Sequence, residues 1–335
     1  MRWYPWLRPA FEQLLSQYQS GRGHHALLLH SLPGMGGEAL CYALSRWLMC
    51  QHPQGAKSCG QCRSCQLMQA GTHPDYLELA VEKGRSSLGV DAIRQLSDKL
   101  ASHARQGGER VIWIPDANLL TEAAANALLK TLEEPPENCW FFLATHEPGQ
   151  LLPTLRSRCL YWHLTPPEPA FAEGWLEREC QASLLDIRTA LRLCSGAPAA
   201  ALDLLDGKNW QQRQMLCQAL NKAQESSDLL ALRSELNDDR AVERLDWLSA
   251  LLLDAVKWRR GASGAMVNLD QAPLIEKLAN RQSDMILHMM LGQILTCRQQ
   301  LVSVPGINRE LLLTEMLLRW ERALEPGVIP TLPHL

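Results

Sequence analysis

Residues Ser31–Trp47 read SLPGMGGEALCYALSRW, directly after the apolar run Ala26–Leu29. A β-forming run, a glycine turn and an amphipathic stretch in that order predict a strand, a tight loop and a helix from about Gly37 to Met49. This is the layout of a phosphate-binding loop. In the pattern G-x-x-x-x-G-K-[ST], backbone N–H groups cradle phosphates, the lysine neutralises the β- and γ-phosphates, and the hydroxyl holds Mg²⁺. Here Ser31 takes the first glycine position, Pro33 lies inside the loop, and Gly34 and Gly36 persist. Gly37 stands where the lysine belongs and Glu38 where the hydroxyl belongs. A carboxylate ~4 Å from a phosphate charge costs roughly 4 kcal/mol at an effective dielectric of about 20. Loss of the lysine removes a comparable attraction. The loop is expected to keep its shape without binding ATP, and its glycines alone would equally suit an ordinary strand-to-helix corner.

Three further runs flank this unit as strands: Asp75–Val81, Arg110–Pro115 and Cys139–Thr145, with the helical pattern VDAIRQLSDKLASHA between the first two. Near-continuous apolar strands alternating with helices indicate a parallel sheet buried on both faces, in a doubly wound α/β domain. An active NTPase of this build needs a carboxylate pair after the Arg110–Pro115 strand. The sequence supplies Pro115-Asp116, so one acid of the two is missing. After Thr165–Pro169 the strand signals stop. FAEGWLEREC, SLLDIRTALRLCSG (with Gly196 as C-cap) and APAAALDLLDG read as a small helical unit, and the pattern from Lys208 onward is helical throughout, with Asn308 as an N-cap. The domain reading is 1–165 α/β, 166–207 small helical and 208–335 larger helical.

With 46% hydrophobic and 21% charged residues, the 335-residue chain has ample material for a core, and its net charge of −3 excludes a whole-chain polyanion binder. The opening MRWYPWLRPAFEQLL lacks the apolar core of a signal peptide, and no apolar run approaches the ~18 residues of a membrane span, so the expected location is the cytoplasm. Most of the eleven tryptophans sit on helical patterns and are expected in the core. Four of the eleven cysteines form Cys50-x8-Cys59-x2-Cys62-x2-Cys65, within a polar segment of about residues 50–65. In a cytosolic chain that clustering points to metal rather than to disulfides. Four thiolates close a tetrahedral Zn²⁺ site with no open position, which makes the expected zinc structural and disfavours a zinc hydrolase.

Arg158, in Ser157-Arg158-Cys159, stands at the end of the α/β domain. An arginine at such an edge is the residue type that stabilises a transferring γ-phosphoryl group. A surface ion pair is an equal reading of the bare sequence, for Arg158 and for its neighbour Arg156 alike.

The stretch ANALLKTLEEPP (Ala125–Pro136), with FFLAT, LRSRC, the cysteine module and the degenerate loop, closely resembles the bacterial clamp-loader AAA+ family of DNA polymerase III. The opening MRWYPWL and the ending GINRELLLTEMLLR fit the same family, so the resemblance spans essentially the whole chain. It implies an AAA+ ATPase-like domain with an inserted zinc module, a helical lid and an all-α C-terminal collar that holds five subunits in a ring. Active members carry lysine and threonine in the loop, an Asp-Glu pair after the third strand and a nucleotide-sensing lid arginine. These fall on Gly37 and Glu38, on Pro115 and Asp116, and near Ala199, and only Asp116 fits. Arg158 is intact, and the resemblance makes it a finger acting in trans on ATP held by a neighbour. The implied partners are the gamma/tau ATPase subunits, the delta subunit, primer-template DNA and, weakly or indirectly, the sliding clamp.

The resemblance also places the helix after EKGRSSLG (Glu82–Gly89) near template DNA. Lys83, Arg85, Ser86 and Ser87 suit phosphate contacts from a loop and helix N-terminus, though a solvated surface loop reads equally well. Two alternatives to a non-hydrolysing subunit stay open. One is a divergent ATPase using Asp116 with weak nucleotide binding; the other is a zinc-stapled nucleic-acid-binding protein working alone.

Overall fold

The apolar runs of the first half form five parallel strands: β1 (Ala26–Ser31), β2 (Tyr76–Glu78), β3 (Arg110–Ile114), β4 (Cys139–Thr145) and β5 (Leu160–Leu164), in the order β2-β3-β4-β1-β5. The computed structural model describes residues 1–81, 84–101, 104–106, 108–304 and 306–324. Pairing of Leu28 with Leu143 on one side and Tyr161 on the other fixes β1 inside the sheet. The helices of this part are α1 (Arg8–Gln19), α2 (Gly37–Leu48), α3 (Arg63–Gln69), α4 (Val90–Leu100), α5 (Glu122–Glu133) and the single turn α6 (Pro153–Arg156).

Alternation along each strand sends Ala26, Leu28, Ile112, Ile114, Phe141 and Leu143 into one core with α4 and α5. On the opposite face Phe142 meets the Tyr18 ring of α1, with ring centres 6.3 Å apart. Burial on both faces is why these strands read as continuous apolar runs. Two expectations need correction. The Asp75–Val81 strand contracts to Tyr76–Glu78, and β5, which the sequence reading passed over, adds a fifth strand at the edge beside β1.

The chain divides into two compact units, Met1–Pro167 and Glu168–Leu335. The second contains α7 (Pro169–Glu179), α8 (Leu184–Leu193), α9 (Pro198–Leu205), α10 (Gly207–Ser226), α11 (Arg233–Leu236), α12 (Ala241–Arg259), α13 (Ala272–Arg281), α14 (Asp284–Ser303) and α15 (Arg309–Leu324). Asn308 caps α15 through Leu311 N–H at 3.0 Å, as its position predicts. The end of α8 is a Schellman turn in which Ser195, not Gly196, takes the first left-handed position (φ 52°), and Gly196 N–H closes onto the Leu191 carbonyl at 2.7 Å. Trp175, Trp210, Trp247 and Trp320 are buried, as expected of core residues. A buried ion pair, Arg213 with Asp270 at 2.7 Å, ties α10 to the turn before α13, and the Thr189 hydroxyl of α8 accepts from Asp270 N–H. Among the described residues no helix is long and apolar enough to cross a membrane.

Candidate functional site

The loop between β1 and α2 lies at the carboxyl edge of the sheet, where open α/β sheets bind ligands. Gly34 (φ 76°) and Gly36 (φ 81°) are both left-handed, so the turn keeps the backbone path that glycine permits. At the lysine position, however, protein crowds the loop. A Cβ built at Gly37, the lysine position, would lie 2.7 Å from Ser31 Oγ and 2.9 Å from Leu29 Cδ2. Ser31, at the position of the first glycine, thus occupies the space a lysine stem would use. From the other side Tyr4 covers Gly36, where an added Cβ would meet the ring at 2.6 Å, and Trp6 Nε1 donates to the Met35 carbonyl at 2.9 Å. Tyr4 and Trp6 stack with ring centres 4.6 Å apart. Volume is not what is missing, since a cavity of about 450 Å³ remains beside the loop, lined in part by Arg2, Pro33, Glu38 and His146. What has gone is the lysine at the first turn of the helix, where Gly37 stands. Glu38, in the first turn of α2, places its own negative charge at the positive end of the helix dipole.

At the end of β3, Pro115 is half-buried and Asp116 is occupied locally. Its carboxylate accepts from Asn118 N–H at 2.9 Å and caps the short turn Ala117–Leu119. Ala199, near the position of a sensing arginine, is buried in the first turn of α9.

Arg158 follows the turn α6 and is partly exposed, its side chain at 32%. Its Nε donates to Glu133 Oε1 at 2.6 Å, its second terminal nitrogen also contacts that oxygen, and the remaining one donates to the Thr154 carbonyl at 2.9 Å. Arg156 instead donates to the Pro148 carbonyl at 3.1 Å. The surface ion pair that the bare sequence equally allowed is present for Arg158, and its partner comes from the end of α5, within the ANALLKTLEEPP stretch.

All four cysteines converge, their sulfurs within 4.8 Å of one another. The separation of Cys59 and Cys65 sulfurs is 3.9 Å, against about 3.8 Å for the edge of a tetrahedron with Zn–S bonds of 2.3 Å. Backbone N–H groups already point at the sulfurs: Cys59 N–H to Cys50, Cys62 N–H to Cys59 and Cys65 N–H to Cys62, at 3.2 to 3.4 Å. Donation from Cys62 and Gln61 N–H lowers the Cys59 thiol to about 6, while burial raises Cys50 and pushes Cys65 up to about 12. Residues 51–57 between the first two cysteines of the cluster are all exposed, so little packing holds them. Gln19 and Trp47 anchor this stretch by donating to the Gly55 carbonyl, each at 2.9 Å. The donor set and spacing fit a structural Zn²⁺ ion.

Arg85, Ser86 and Ser87 form an exposed turn ahead of α4, whose N-cap Gly89 offers no side-chain cap. Lys83 lies outside the described residues. Ser31 as space-filler, Tyr4 and Trp6 as a cover, and Glu133 as the partner of Arg158 were not anticipated from sequence.

A parallel sheet with a phosphate-loop path that carries glycine in place of lysine, a four-cysteine insertion and a helical second half define the class: an AAA+ protein. Residues 6–168 match the family model "DNA polymerase III, delta subunit", 167–206 match "DNA polymerase III subunit delta', AAA+ ATPase lid domain", and 207–322 match "DNA polymerase III, delta subunit, C terminal". The chain is 58% identical to DNA polymerase III subunit delta' of Escherichia coli (strain K12) and 56% identical to that of Yersinia pestis, each over the full length of both proteins. It is also 33% identical to the gamma/tau subunit of Mycobacterium bovis, over 56% of this chain and 33% of that one. The chain belongs to the family of DNA polymerase III delta' subunits.

Proposed function

We propose that this chain is the rigid, non-hydrolysing member of a clamp loader. It assembles with gamma/tau and delta subunits in the cytoplasm and supports ATP-dependent loading of a sliding clamp onto primed DNA. In this reading 1–165 is the AAA+ domain, 166–207 the lid and 208–335 the oligomerising collar. Cys50, Cys59, Cys62 and Cys65 hold a structural Zn²⁺ that fixes the segment between α2 and α3. Arg158 contributes charge to ATP bound by the adjacent gamma/tau subunit. Contact with the clamp itself is weak or indirect.

The observation that carries this reading is position 37, where a buried glycine packed against Ser31 replaces the lysine that ATP needs. A divergent ATPase working through Asp116 is disfavoured by the same packing and by that carboxylate's use as a local cap. The packing also makes the loss hard to reverse. Gly37→Lys with Glu38→Thr is expected to lower the thermal midpoint and to leave the chain without Mg²⁺-dependent ATP binding, because the new stem collides with Ser31 and Leu29. Titration with a labelled ATP analogue checks this; micromolar affinity in either the variant or the parent chain contradicts the reading.

Arg85, Ser86, Ser87 and Lys83 are proposed contacts to template phosphates in the assembled loader. Each neutralised phosphate adds about 0.9 to the slope of log K against log salt. Arg85→Ala is expected to flatten that slope by about this amount in the reconstituted complex. An unchanged slope removes Arg85 from the DNA path.

A further inference from the structure

We infer that Glu133 is a positioning residue for Arg158, holding the guanidinium in place before the neighbouring nucleotide arrives; this rests on the reading of Arg158 as a finger acting in trans. The backbone around Arg158 is already fixed. Leu155 is wholly buried in the sheet core, Arg158 N–H closes onto the Leu155 carbonyl at 3.2 Å, and Cys159 packs against the same core just before β5. Only the long side chain remains to be ordered, and an unrestrained arginine loses considerable rotamer freedom when it docks. Glu133 Oε1 takes the Nε edge of the guanidinium and Thr154 O takes one terminal N–H. Three of the five N–H donors are thereby engaged, which leaves two for an incoming phosphate oxygen.

Two features argue that this pair serves something other than folding. The partners are 32% and 49% exposed, and ion pairs that exposed add little to stability. Glu133 is also the last residue of α5, where a negative charge opposes the helix dipole. A carboxylate there is a local disadvantage to the helix and an advantage to Arg158. The adjacent Glu134 is equally exposed, but among the described residues the ion pair of Arg158 is with Glu133.

The test uses the complex reconstituted with gamma/tau and delta subunits, reading ATP turnover stimulated by clamp and primed DNA. Displacement of a catalytic group by an ångström costs up to about 100-fold, so Glu133→Ala is expected to lower kcat by about tenfold or more with KM for ATP unchanged. Glu133→Gln, which keeps the Oε1 acceptor, restores most of the loss, and Glu134→Ala matches the parent. Glu133→Ala combined with Arg158→Ala is no slower than Arg158→Ala alone. Parental turnover in Glu133→Ala beside an impaired Arg158→Ala overturns the positioning role and leaves the finger standing. Parental turnover in Arg158→Ala overturns both. Equal losses in the alanine and glutamine variants, with reduced assembly, show a structural role and overturn the inference.

Discussion

Replacing Cys62, one of the four proposed zinc ligands, as Cys62→Ser, is expected to open the segment around residues 50–65 and abolish binding of one equivalent of zinc. Structural zinc sites contribute on the order of 10 kcal/mol to folding in peptides that have little else to hold them. Residues 51–57 are in that position: all are exposed, and beyond the four sulfurs their ties are a hairpin pairing of Gln54 with Lys57 and the two donors reaching Gly55. The sheet core is separate from the cluster, with Leu28, Ile112 and Phe141 wholly buried elsewhere. Loss of zinc should therefore open the module first, seen as rapid proteolysis within the segment, with a lower thermal midpoint and the strands retained. The same outcome should follow treatment with a strong chelator. Occupancy should also fall with falling pH. Burial holds Cys50 and Cys65 as thiols, so zinc must displace their protons, and the stability it brings is present at higher pH and lost as acid returns them. A purified chain without zinc that resists protease as well as the parent defeats this expectation.

The sequence made legible whatever depends on local spacing or on burial of both faces of a strand. β1, β3 and β4 are central and carry apolar runs of four or more residues, so they announce themselves. β5 is an edge strand in which Tyr161 and His163 face outward, and its LYWHL pattern lacks a continuous apolar run. β2 has only three residues, so the sequence located it within Asp75–Val81 but not its ends. The cysteine cluster was readable because ligand spacing alone constrains a metal site. The missing lysine was readable as well, but the crowding at its position was not. That crowding is a close approach of Ser31 to Gly37 across the loop, and contacts of this kind leave no period in a sequence. Pairs such as Arg158 with Glu133, or Tyr4 over Gly36, join positions 25 and 32 apart through the fold alone.

Arg158→Ala in the reconstituted complex is expected to lower ATP turnover at the neighbouring site by about 10³-fold, while assembly and the thermal midpoint of this subunit stay near the parent. Arginine fingers are worth ~10³–10⁵ in rate, and a 10³-fold loss corresponds to about 4 kcal/mol of transition-state stabilisation. The effect on folding should be small, because the pair it breaks is between partly exposed groups, and such pairs contribute about 0–1 kcal/mol. This separation is the diagnostic feature: a large kinetic effect with almost no structural one. Arg158→Lys sharpens it. Lysine keeps the charge but cannot hold Glu133 and Thr154 O while presenting a second edge to phosphate, so its turnover should fall between parent and alanine. Arg156→Ala, whose guanidinium is engaged with the Pro148 carbonyl, should leave turnover unchanged. The affected site is to be resolved by single-turnover measurement, because a bulk rate averages over whatever ATP sites the complex holds. Parental single-turnover rates at every site in Arg158→Ala would remove the finger from this subunit and leave its contribution to assembly alone.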